Sequence, residues 1–295
     1  MKTRSKTPCK KLFLFALCSI FAKAAFCQIE LRNVSDAVKI ALANDVERNL
    51  QRQSAEESLR IAKKNIVPFL QGRDIKPYYT PKANRHLILF PKGSTKNIIA
   101  TDSISENLAW QYMKTIYPEI CEWLEPYADR GRKRGDKGDY WWELRACDYY
   151  EQFSKPKIMY QAFQVKPCFI YDDKGMYCNN SIWILPTNNK ALLGIFNSKL
   201  GWWLISKYCT QIQNGYQLIW KYFSQVPIAL NHENKYTCIE DLVETILTLK
   251  ESKADTLKLE QQIDFLVYHL YGLTYDEVLI VDPETPITRD EYEQI

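Results

Sequence analysis

Between Tyr140 and Ile228 the chain runs through apolar segments of strand length and then apolar segments of helix length, and that order limits what it can fold into. Lys157 to Phe163, Cys168 to Tyr171 and Tyr177 to Leu185 are rich in Ile, Phe and Tyr and read as strands. Asp172-Asp173-Lys174-Gly175 has the composition of a turn that would join the last two as a hairpin. Lys190 to Cys209 predicts a buried helix, Tyr216 to Tyr222 a further short element, and Pro227 its end. Cys238 to Leu249 and Leu257 to Tyr271 predict two amphipathic helices joined around Glu251 to Ala254. Upstream, Val38, Leu42, Val46 and Leu50 recur every four residues in a helical pattern that Pro68 stops. Arg85 to Phe90 reads as a strand, and Ser103 or Ser105 can cap a helix from Glu106 to about Leu124 that Pro118 bends or splits. The expected class is α+β: a mixed sheet with an N-terminal helical part and a C-terminal helical hairpin.

Several segments of this region carry a resemblance as well as a pattern. They are YWWELRACDYYEQF, a KPKI entry into a strand, LLGIFNSKL, and a GY…VPI exit. PFLQGRDIKPYY (Pro68 to Tyr79) precedes them and QQIDFLVYHLYGLTYDEV (Gln261 to Val278) follows. In order and spacing the set resembles the TaqI-like C-terminal specificity domain, the DNA target-recognition region of adenine-N6 methyltransferases and type IIG restriction-modification enzymes. The resemblance covers roughly residues 60–280. It implies sequence-specific binding of duplex DNA that positions a target adenine for a methyltransferase, with cleavage in a fused enzyme. Together with the residue patterns on either side, the expected division is a signal-like or spurious segment 1–33, a helical lead-in 34–66, a DNA target-recognition domain 67–236, a helical hairpin 237–275 and an acidic tail 276–295.

The chemistry of methyl transfer is not legible in this chain. Adenine-N6 transfer needs an Asn/Asp-Pro-Pro-aromatic loop to hold the flipped base's amino group, and no Pro-Pro dipeptide occurs. S-adenosylmethionine is ordinarily cradled by a Gly-rich turn after a strand, and no G-x-G follows one here. The expectation is therefore no cofactor in this chain and S-adenosylmethionine in a parent enzyme. The expected partners are double-stranded DNA and a methyltransferase domain or subunit encoded upstream, with no membrane.

Charge and cysteine usage bear on compartment. The net charge is +4, but residues 276–295 hold seven acids against Arg289 alone, so the rest of the chain is basic enough to tolerate phosphate. Nine scattered cysteines without a C-x-x-C pair suit reduced, buried thiols and a cytoplasmic protein rather than a zinc site. Against that, Lys2 to Lys11 is basic, Leu12 to Phe21 is apolar and Ala22-Lys23-Ala24 resembles a cleavage site, the layout of a signal peptide. A genuine signal would make this an exported carbohydrate- or protein-binding protein. A misplaced start or frameshift on a truncated gene, or a buried helix start, reads the same residues differently.

The candidate DNA contacts are polar and scattered. Residues 129–139 (DRGRKRGDKGD) break every periodicity and read as a flexible cationic loop, with Arg130, Arg132, Lys133, Arg134 and Lys137 as phosphate contacts or as a solvated linker. Arg73 and Lys76 can touch phosphate, or Arg73-Asp74 can fix a turn. Lys155 and Lys157, flanking Pro156, can meet phosphate or be plain surface. Gln213 and Asn214 can read adenine edges or form a polar turn. Trp141-Trp142 can stack on a base, but tandem tryptophans before a strand more often pack a core, which is the reading taken.

Overall fold

Strand β3 (Lys157–Gln161) sits where it does because both of its faces are covered. Ile158 and Tyr160 point into one core and Met159 into another, the alternation a strand imposes. Its neighbour β5 (Phe169–Asp172) repeats the division, with Phe169 and Tyr171 on the first side and Ile170 on the second. A computed structural model describes residues 48–294, apart from 51, 54–55, 58–59, 61–62, 80, 102–103 and 230–232. The chain divides into a unit ending at Glu57 and a second spanning Ser58–Ile295. In the first, the described residues from Arg48 onward are helical, as the periodicity predicts there. The signal-like start and most of the helical lead-in lie outside the described residues. Everything below concerns the second unit.

The class is α+β, but the single mixed sheet resolves into three sheets of three strands. β1 (Ile66–Leu70) pairs antiparallel with β2 (His86–Ile88) and parallel with β6 (Tyr177–Cys178). β3 lies between β5 and β7 (Ile182–Pro186), antiparallel to both. The third sheet is antiparallel, with β9 (Gly215–Gln217) between β4 (Phe163–Gln164) and β8 (Thr210–Ile212). The predicted β5–β6 hairpin does not form. Asp172 turns its carboxylate onto the backbone N–H groups of Lys174 and Met176, and the chain leaves for β1.

Local chemistry sets the helix boundaries. Pro118 divides the predicted helix in two, ending α2 (Glu106–Ile116) and opening α3 (Pro118–Leu124), after α1 (Ser94–Ile99). The segment expected to be a loop begins as helix α4 (Ala128–Arg132). The single helix expected over Lys190 to Cys209 is two, α5 (Ala191–Asn197) and α6 (Lys199–Tyr208). Ser198 is extended between them, and its hydroxyl accepts from Gly201 N at 3.0 Å, a cap that outcompetes continuation. A short α7 (Trp220–Phe223) follows β9.

The helical hairpin forms as α8 (Glu233–Glu251) and α9 (Leu257–Leu270), packed on each other and on α5. Ile239, Val243 and Ile246 face Ile263, Val267 and Leu270 in the main core. The acidic segment is folded rather than pendant. α10 (Tyr275–Val281) and α11 (Arg289–Glu293) bury Val278 and Tyr292. Thr274 with Glu277 and Thr288 with Glu291 form capping boxes, so several of those acids stand at helix N-termini where the backbone favours negative charge.

Candidate nucleic-acid interface

The cationic segment 130–137 is anchored through Glu143 and Leu144. Glu143 is fully buried and accepts from Gly93 N at 3.2 Å, Thr95 N at 3.0 Å and Asp139 N at 2.8 Å. Arg134 donates Nη2 to the Glu143 carbonyl at 2.6 Å, and Lys137 bridges to Leu144 as an isolated antiparallel pair. Asp139 pairs with Lys96 at 2.7 Å, and that hydrogen bond holds its carboxyl below its ordinary value. Gly138 is required here for closeness: a Cβ would lie 2.6 Å from Glu143 Cβ and 2.8 Å from the Leu144 carbonyl. The flexible loop expected from the glycines is therefore a pinned turn, with Gly131 and Gly138 packed closely and Gly135 open. Trp141 and Trp142 belong to the core beneath it, as predicted, with Trp110 4.7 and 4.8 Å from their rings.

Pinning sorts the five cations. Arg132 pairs with Glu106 at 2.7 Å and Asp129 at 3.3 Å, and Lys137 Nζ donates to the Arg134 carbonyl at 3.0 Å. Arg130 and Lys133 are exposed and make no ion pair among the described residues.

The other candidates separate as clearly. Asp74 forms a bidentate pair with Arg85, at 2.6 and 3.2 Å, rather than with Arg73, and Arg85 holds its carboxyl below its usual range. Arg73 is thereby left exposed, as are Lys76 and Lys155. Lys157 is no surface cation. It is 0% exposed, and its ammonium donates to Asp172 and to the carbonyls of Phe153 and Lys155. A strand buried on both faces left it nowhere to go but into a paired, hydrogen-bonded interior. Gln213 and Asn214 form the tip between β8 and β9, both exposed, with Gln213 at φ 52° in the left-handed region.

A groove of about 980 Å³ lies along β6 and β7. Of the sequence candidates only Arg134 lines it. Tyr149, Tyr177, Trp183 and Trp220 supply aromatic surface, and Arg145 and Asn180 supply polar groups. Sequence reasoning missed these residues, although ACDYYEQF and CNNSIWILP display an Arg-flanked Tyr pair and an Asn pair beside a Trp.

The glycine that follows β1, Gly72, is packed rather than open: the space its Cβ would take is already approached by Ser181 Oγ at 3.1 Å. Among the described residues no group of three or more His, Cys, Asp or Glu is arranged to hold a metal ion, and no helix is long and apolar enough to cross a membrane.

Comparison with known proteins agrees with the resemblance in sequence. The family model of the TaqI-like C-terminal specificity domain matches residues 67–228, a span that holds every candidate from Arg73 to Asn214. Among solved structures the chain is similar to the type IIG restriction endonuclease BpuSI, at 10% sequence identity and a TM-score of 0.37. That match covers 80% of this chain and 28% of the other, so this chain spans well under half of that enzyme's length.

Proposed function

The chain belongs to the TaqI-like C-terminal specificity domain family, and we propose on that footing that it recognises a target sequence in duplex DNA for a restriction-modification enzyme. The family match over residues 67–228 carries this reading. Two kinds of exposed group support it. Arg73, Lys76, Arg130, Lys133 and Lys155 offer unpaired positive charge among the described residues, suited to phosphates, which give affinity without sequence. Gln213 and Asn214 offer exposed amides, unpartnered among the described residues, on a narrow hairpin, suited to base edges. Gln213 adopts the left-handed backbone conformation at φ 52°, which turns the chain at the hairpin tip.

The finer reading is that the recognised site contains an adenine presented for N6 methylation. S-adenosylmethionine and the transferring groups then belong to a methyltransferase domain or subunit outside this chain, with cleavage an open addition. The work is done in the cytoplasm, where unmodified DNA is met.

The test is fluorescence anisotropy of the full chain on a duplex selected from a random pool, across salt concentrations. Arg130→Ala with Lys133→Ala should weaken binding to all duplexes alike and flatten the log–log salt slope by roughly 0.9 for each phosphate no longer neutralised. Gln213→Ala or Asn214→Ala should lower discrimination between sites by about 1–3 kcal/mol and leave the slope unchanged. Unchanged binding in both classes would remove these residues from the interface.

A further inference from the structure

We propose that the groove along β6 and β7 holds an unpaired nucleobase, bound by stacking, and that it is distinct in kind from the surface that meets paired DNA. The proposal rests on the DNA-binding reading above and adds a second nucleic-acid substrate to it.

Aromatic exposure is the first observation. Trp183 is 37% exposed, Trp220 49% and Tyr149 51%, and all three line the same groove. Tyr177 joins them, stacked on buried Phe153 with ring centroids 4.5 Å apart, so its ring is held rather than free to rotate. An aromatic face binds another π-face. In a duplex the faces of the bases are stacked on one another, and only their edges reach the grooves. Several aromatic side chains in one concavity are therefore matched to bases that have left the stack.

The second observation is polar complementarity. Arg145 is exposed at the groove and makes no ion pair among the described residues, and Asp136 is the one acid in the lining. The amides of Gln152 and Asn180 have no hydrogen-bond partner among the described residues. A cation for the phosphate and free amides for a base's Watson–Crick edge complete the groups an unpaired nucleotide needs. A volume of about 980 Å³ is at the top of the range of roughly 300–1,000 Å³ for clefts that enclose small ligands.

The experiment compares three labelled probes by anisotropy on the full chain: a short single strand, a perfect duplex, and the same duplex with one unpaired base. Trp183→Ala and Trp220→Ala should each weaken the single strand and the bulged duplex by about tenfold and change the perfect duplex less than twofold. Trp183→Phe and Trp220→Phe should restore most of the loss, since a ring face is what the base needs. Trp123→Ala is the control, because Trp123 is 62% exposed but lies outside the groove. Photo-crosslinking of an iodouracil single strand should map to peptides carrying these aromatics. Binding of perfect duplex without any preference of the two Trp variants among probes overturns the groove proposal and leaves the duplex reading standing. Failure of every probe to bind overturns both.

Discussion

Lys157 and Asp172 are register partners across β3 and β5, and their fully enclosed side chains form an ion pair at 2.5 Å. The pair is completed by two carbonyls on the ammonium and two backbone N–H groups on the carboxylate. Removing one partner leaves an uncompensated buried charge, so Lys157→Ala should cost about 3–5 kcal/mol by urea denaturation. Replacing both residues with apolar ones of similar volume should cost much less. A Lys157→Ala protein as stable as its parent, but weaker on DNA, would return Lys157 to the interface.

Asp264 makes stability depend on pH in a direction opposite to most carboxylates. Burial pushes its pKa up to about 7 from 3.8, against a hydrogen bond from Lys199 N at 2.8 Å. A carboxyl that holds its proton more tightly when folded penalises folding once it must ionise. The penalty is absent below about 3.8, grows as pH rises, and is complete above about 7. Asp264→Asn keeps an oxygen for Lys199 N and should therefore gain on its parent more at pH 8 than at pH 5. Equal differences in urea midpoint at the two values would contradict this.

The thiols should be slow. All six described cysteines are free, and burial pushes Cys121 and Cys178 up to about 12 and Cys168 and Cys209 up to about 11. Alkylation proceeds through the thiolate, so iodoacetamide at pH 8 should reach exposed Cys238 first and these four only after unfolding. Rapid labelling of Cys168 in the native protein would show a looser core. Missing thiols after unfolding would instead favour the exported, disulfide-bearing protein that the signal-like start suggests.

The pinned turn separates two neighbouring glycines. A Cβ at Gly135 meets nothing within 4 Å, whereas one at Gly138 collides with Glu143. Gly135→Ala should leave stability within about 0.5 kcal/mol, and Gly138→Ala should cost about 1–3 kcal/mol. Equal urea midpoints would mean that residues 130–139 are a free linker after all.

What can be read in advance follows from what is local. The strand at β3, the break at Pro118, the Trp141-Trp142 core and the α8–α9 hairpin each depend on near neighbours, and periodicity or backbone chemistry discloses them. Lys157 escapes such reading because its partner is fifteen residues away in an adjacent strand, and a lysine beside a proline carries no sign of burial. The 130s segment escapes it because Gly131 and Gly138 serve Trp141 and Glu143, neighbours set by the fold and not by spacing. The groove is hidden for the same reason. Arg145, Tyr177, Trp183 and Trp220 are brought together only by tertiary structure.

The most direct test of the central claim is selection of binding sites by the full chain from a pool of random duplexes at about 0.1 M salt. A domain that recognises DNA sequence should enrich a short defined motif, with each substituted base pair costing about 1–3 kcal/mol. Retention of duplexes with no motif, at one affinity whatever the sequence, would leave only a basic surface and contradict the assignment of target recognition to this chain.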